Sequence, residues 1–195
     1  MSHILVYVHG TNGSGKSTLA RGVLAAAGGV AEYVPVKSGK QGKAGWTDTP
    51  RGVALLGSYH RACGGVDGFS PYAHVHEVMQ GHAEYEDTRV FAEGLMTPGV
   101  DTCTKFAGYF ERTVFIALST PIEQCIANVR SRRKRVGNTK PYTPEKLISK
   151  HASALRWADR LAAAGLETYK MPYREAYHFS LELLGLPLPS VDELL

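Results

Sequence analysis

The chain has few cysteines, no long apolar run and no metal-binding spacing, and each lack narrows what it can be. Its three cysteines, Cys63, Cys103 and Cys125, are an odd number without a C-x-x-C pair. That excludes a disulfide framework and a zinc ribbon and leaves the reduced thiols of a cytosolic protein. No stretch approaches the ~18 apolar residues of a membrane span. Met1-Ser2-His3 leads straight into an apolar segment, with no room for a signal peptide. The expected location is the cytoplasm. His74, His76 and His82 lack H-E-x-x-H spacing, so surface or packing roles are expected of them. There is no internal repeat, low-complexity segment or dividing linker, and 195 residues suit one domain spanning 1–195. The net charge of +4 is compatible with a polyanionic substrate without demanding one.

What is present is organised around Gly10-Thr11-Asn12-Gly13-Ser14-Gly15-Lys16-Ser17-Thr18, a complete G-x-x-x-x-G-K-[ST] loop. Ile4 to Val8 before it is a short apolar, β-branched run, the pattern of a buried strand. Ser17 to Ala27 after it carries helix formers, with Leu19, Val23 and Leu24 on one stripe, and Gly28-Gly29 stops it. A strand passing through a glycine turn into a helix aims backbone N–H groups and a helix N-terminus at one point, which suits a triphosphate. Gly10 to Thr18 is therefore expected to bind ATP, with Lys16 on the β- and γ-phosphates and the Ser17 hydroxyl on Mg²⁺.

Further along, residues 31–36 read as a strand that Pro35 places at an edge or ends early. Residues 37–51 read as a basic loop. It is either simply solvated or an acceptor-side loop in which Lys37, Lys40 and Lys43 meet phosphates and Trp46 stacks on a base. A strand over 52–59 runs into the polar loop 59–70, with Tyr59, Arg61, Gly64, Gly65 and Asp67. Such a loop sits where doubly wound sheets place ligands. Asp67 beside Gly68 suits a turn as well as it suits a carboxylate aimed at an acceptor hydroxyl. A helix is expected over 71–85 and a strand over 88–94, ending in Glu93, which would face Mg²⁺ and the transferred phosphate or else be a surface acid. After the clear strand 113–118, Thr120-Pro121-Ile122-Glu123 has the form of a capping box opening a helix with Ile122, Ile126 and Val129 buried. That helix ends in five cations within residues 130–135, more than the helix dipole requires. This suggests a lid of about residues 130–142, whose arginines neutralise phosphate charge. A long helix from Thr143 to Gly165, a short strand over 167–171 and a helix over 173–184 complete the chain. The alternation predicts a doubly wound, mainly parallel five-stranded sheet of the P-loop NTPase, nucleotide-kinase-like kind.

Some P-loop classes are excluded. Asn138-Thr139-Lys140-Pro141 is not the N-K-x-D motif of a GTPase, and Ala92-Glu93-Gly94 is not the Asp-ended strand of a motor ATPase. A compact domain with an acceptor loop, an acid-ended strand and an arginine-rich lid is the layout of nucleoside and nucleotide kinases. Several segments match one family in order: Gly10 to Thr18; Leu56-Gly57-Ser58-Tyr59 leading to Cys63-Gly64-Gly65-Val66-Asp67; and Phe91-Ala92-Glu93-Gly94-Leu95. Val129-Arg130-Ser131-Arg132-Arg133 and Gly137-Asn138-Thr139-Lys140-Pro141 follow. In these the chain resembles the small P-loop kinases of bacteriophages, related to thymidylate kinase, that include the 5-hydroxymethyluracil DNA kinases.

The resemblance implies transfer of the ATP γ-phosphate to the hydroxymethyl group of 5-hydroxymethyluracil in DNA, in the host cytoplasm. It implies Asp67 as the base and Glu93 holding Mg²⁺ through water, with the two roles exchangeable. Lys16, Arg130 and Arg133 would stabilise the transferring phosphoryl group, and Arg130 would also contact ATP. Tyr59 and Trp46 would stack on the base, with Arg61, Gly64 and Gly65 lining its loop and Lys37, Lys40 and Lys43 on the DNA backbone. A kinase of free nucleosides or nucleotides, and a nucleic-acid-binding regulator that uses ATP as a switch, are the competing expectations.

Overall fold

A computed structural model describes residues 3–36, 44–59, 65–69, 73–94 and 98–188. The apolar runs become parallel strands at the centre of a sheet. These are β1 (Ile4–His9), β4 (Val53–Leu56), β5 (Arg89–Gly94), β6 (Arg112–Leu118) and β7 (Thr168–Met171). They lie side by side as β4-β5-β1-β6-β7, each pair parallel. Every residue of β1 and β4 is buried, as expected of strands covered on both faces.

The side chains alternate between two cores, as strand pleating dictates. Leu5 and Tyr7 of β1 join one cluster, whereas Ile4, Val6 and Val8 join the other. Helices α2 (Ala73–Ala83), α3 (Val100–Ala107) and α5 (Glu145–Ala163) cover the first face through Met79, Phe106 and Trp157. Helices α1 (Lys16–Ala26) and α6 (Tyr173–Leu183) cover the second through Leu19, Val23 and Leu181. Helix α4 (Ile122–Arg135) forms a small third cluster, in which Cys125 and Val129 meet Leu147 of α5.

Among the described residues the sheet has seven strands rather than five. Part of the segment expected to be a loop over 37–51 is β3 (Gly45–Asp48), which pairs antiparallel with β2 (Glu32–Pro35) on one side and β4 on the other. Helix α3 had no counterpart in the sequence expectations. The arginine-rich segment also differs from a separate lid. Residues 130–135 are the last turns of α4, and only residues 136–144 are non-helical. Nor does Thr120 cap α4: Pro121 is the N-cap and no side chain caps the helix. Among the described residues, no helix is long and apolar enough to cross a membrane.

Candidate functional site

Because β4, β5, β1 and β6 are parallel, their carboxyl ends open on one edge, where loops from several strands converge. The loop after β1 turns into α1 there. Gly13 has φ 79°, and a side chain at this position would collide with the Cys125 carbonyl oxygen of α4. The N-cap of α1 is Gly15, with no side-chain cap and no acid in the first turn, so no side chain of the cap competes for the first N–H groups of the helix. Two buried hydroxyl oxygens of the loop, Thr11 Oγ1 and Ser14 Oγ, find no hydrogen-bond partner among the described residues.

Lys16 is 7% exposed and donates from Nζ to the Thr11 carbonyl at 3.0 Å. Burial lowers its pKa from the ordinary lysine value, opposed by the negative charges of Glu93 and Asp67. β5 lies beside β1 with Val8 opposite Glu93, which sets Glu93, 2% exposed, next to the start of α1. Ser17 Oγ donates to Glu93 Oε1 at 3.1 Å. Burial pushes the Glu93 carboxyl up to about 7, against the pull of Lys16 and with a further push from Asp67.

Asp67 sits in a single 3₁₀ turn (Val66–Gly68) and is exposed. The loop carrying it is pressed onto the end of β5. A Cβ on Gly65 would strike the Glu93 carbonyl oxygen and come within 2.8 Å of Glu93 Oε1, and one on Gly94 would stand 3.3 Å from Asp67 Oδ1. Two carboxylates therefore share one strand end, one dry and one wet. His9, at the end of β1, closes the floor: buried, its Nδ1 bonds to the Gly94 carbonyl at 3.0 Å, and burial lowers its pKa to about 4. It is thus a neutral ring, donating from Nδ1.

Helix α4 clamps the loop from outside. Thr120 Oγ1 donates to the Ser14 carbonyl at 2.7 Å and Asn128 Nδ2 to the Gly13 carbonyl at 2.8 Å. The Thr120 hydroxyl that looked like a helix cap is taken up by this bond. Cys125, Val129 and Arg132 fall on the same stripe of α4, and Arg132 is the arginine whose charge is felt at Lys16. The two expected arginines are placed elsewhere. Arg130 is exposed on the far side, and Arg133 bonds Asn138 Oδ1 and the Lys140 carbonyl and lies over the Tyr142 ring.

The structure thus brings together Lys16, Ser17, Glu93, Asp67 and Gly65. Tyr59 is not available for stacking. It is 6% exposed in the apolar cluster with Leu19 and Val23, and its hydroxyl bonds the Leu56 carbonyl at 3.2 Å. Trp46 sits on a strand, half-buried, with its indole N–H on Asp48 Oδ2 and its ring edge-on to His82. Lys37, Lys40, Lys43, Arg61 and Gly64 lie outside the described residues. Asn128 and His9 carry no motif signal, Thr120 reads from sequence as a helix cap, and Arg130, Arg132 and Arg133 lie within one helical turn, so spacing leaves open which of them serves the phosphates.

Serine and carboxylate oxygens at a helix N-terminus are hard donors of the kind Mg²⁺ takes, one or two at a time beside substrate phosphates. Among the described residues no cluster of three or more His, Cys, Asp or Glu suits a metal held by protein alone.

No family model matches the chain, and no solved structure matches it either. It is 29% identical over 190 residues to the 5-hmdU DNA kinase of Pseudomonas phage PaMx11, an alignment covering 92% of this chain and 96% of the relative. Along nearly its whole length, then, the chain is related to a phage 5-hmdU DNA kinase.

Proposed function

We propose that this protein is a P-loop kinase that transfers the γ-phosphate of ATP to the hydroxymethyl group of 5-hydroxymethyluracil in DNA. The observation that carries the reading is a near full-length similarity to a protein named for that activity. The site geometry supports phosphoryl transfer, whose catalysis is mostly positioning and charge neutralisation.

The N-terminus of α1, the two unpartnered loop hydroxyls and Lys16 form a cradle for the polyphosphate. Ser17 and Glu93 would hold Mg²⁺, which would supply positive charge beside the transferred group and draw the Glu93 carboxyl toward its ionised form. Asp67, exposed over the end of β5, accepts the hydroxymethyl proton as the new O–P bond forms and the bond to the ADP leaving group breaks. Arg132 takes the phosphate-neutralising role expected of Arg130 and Arg133. The acceptor base reaches the site flipped from a duplex or in a single strand.

The test uses γ-labelled ATP and Mg²⁺ with an oligonucleotide containing 5-hydroxymethyluracil, its thymine counterpart, and free nucleosides and nucleotides. Label confined to the modified oligonucleotide, and lost in Asp67→Asn, is expected. Label on free nucleosides or nucleotides alone overturns the DNA assignment in favour of a metabolic kinase, and no label anywhere overturns the kinase.

A further inference from the structure

Charge is unevenly distributed along this chain. Residues 130–150 hold eight of the 22 lysines and arginines and one of the 18 carboxylates, so the segment carries +7 and the rest of the chain −3. The mild overall charge conceals a strongly basic surface. Within it, between α4, residues 141–143 and the start of α5, lies a pocket of about 300 Å³. Val129 and Leu147, both buried, give it apolar walls. Lys146 and Lys150, one turn apart on α5 and exposed, stand together on one side. Tyr142 also lines it, and its buried hydroxyl has no hydrogen-bond partner among the described residues. The pocket reaches the phosphate loop through Asn12, but neither Lys16, Ser17 nor Glu93 lines it, so it adjoins the reaction site without coinciding with it.

This volume lies at the small end of ligand sites. It suits one nucleotide unit and is far too small for a duplex. Apolar walls with an aromatic ring suit the faces of a base, and paired ammonium groups suit a phosphate. We propose that the pocket holds a nucleotide of the DNA strand adjacent to the acceptor base, with its phosphate on Lys146 and Lys150. The proposal rests on the DNA-kinase reading and adds to it a path for the strand, past the tip of the phosphate loop and along α5.

The test compares wild type with Lys146→Gln/Lys150→Gln and with Arg156→Gln/Arg160→Gln. The second pair removes the same charge from the exposed far half of α5. Glutamine keeps helix propensity close to that of lysine and arginine, so both variants are expected to fold, which circular dichroism checks. Steady-state kinetics measure KM for the modified oligonucleotide and for ATP, and fluorescence anisotropy gives oligonucleotide affinity against salt. The pocket variant is expected to raise KM for DNA roughly tenfold and to lower the log–log salt slope by roughly one and a half to two, with KM for ATP unchanged. The far-half variant is expected to change neither.

Equal effects from both variants would mean diffuse attraction and overturn the pocket. A raised KM for ATP would assign it to the nucleotide donor. Normal phosphorylation and an unchanged salt slope in the pocket variant would sink the strand path while leaving the kinase intact. Pocket-dependent DNA binding by a protein that phosphorylates nothing would do the reverse.

Discussion

Around Lys16 and Glu93 two opposite charges share a nearly water-free site, whereas residues 130–150 spread eight cations over surfaces mostly open to solvent. The first arrangement is costly to build. Burial pushes the Lys16 pKa down and the Glu93 pKa up, each toward its neutral form, because the low dielectric penalises both charges. The second is nearly neutral in folding terms, since exposed charges interact weakly through water and salt. The contrast separates two jobs. A dry pair can act strongly on one bond, while a wet array can attract and guide a long polyanion.

The sharpest way to break the comparison is Lys16→Met, which keeps the buried stem and removes the charge. The turnover rate is expected to fall on the order of a thousandfold, measured by steady-state phosphorylation. A fall no larger than that of a single surface cation would erase the distinction between the regions.

Glu93→Gln tests the cost of the dry site. With its folded pKa raised from 4.5 to about 7, Glu93 contributes stability that is fully present below its unfolded pKa and is lost as pH rises through 7. Relative to the glutamine variant, the wild type is expected to lose up to about 3 kcal/mol of unfolding free energy between pH 4.5 and 8. Denaturant titrations at several pH values, without nucleotide or Mg²⁺, measure this. Parallel curves for the two proteins would rule out the raised pKa.

Smaller effects probe the wet region. Arg132→Ala is expected to lower kcat about tenfold and Arg130→Ala less than about twofold, because the charge of Arg132 reaches Lys16 while Arg130 is exposed on the opposite side of α4. The reversed order in side-by-side kinetics would return Arg130 to the role the sequence suggested. Smallest, and back beside the dry site, is Thr120→Val, which removes the bond to the Ser14 carbonyl. It should cost about 1 kcal/mol of stability by thermal unfolding, in line with one buried hydrogen bond.

What was legible in the sequence follows from how local each signal is. Ile4 to His9 and Arg112 to Leu118 announce themselves as strands by continuous apolar runs, and the glycine loop fixes its own strand–turn–helix context. Gly45-Trp46-Thr47-Asp48 does not, because two strand formers between a glycine and an aspartate make too short a signal, and its strand character comes from pairing with segments on both sides. The same limit applied at the site. Lys16, Ser17, Glu93 and Asp67 were readable from motif and strand end, whereas Tyr59 read as a loop aromatic although its ring is drawn into the core. The choice among Arg130, Arg132 and Arg133 depends on helical phase relative to Gly13, which sequence spacing without the contact leaves open.

The two outer strands of the sheet bear on how the protein behaves at high concentration. β2 and β7 each have four residues, and β2 ends in Pro35, which has no N–H to offer a further strand. Exposed Glu32 on one border and exposed Lys170 on the other place charge where a neighbouring chain would have to pair. Borders that are short, charged and interrupted resist edge-to-edge growth, so the sheet ends at its own margins when many copies of the chain crowd together.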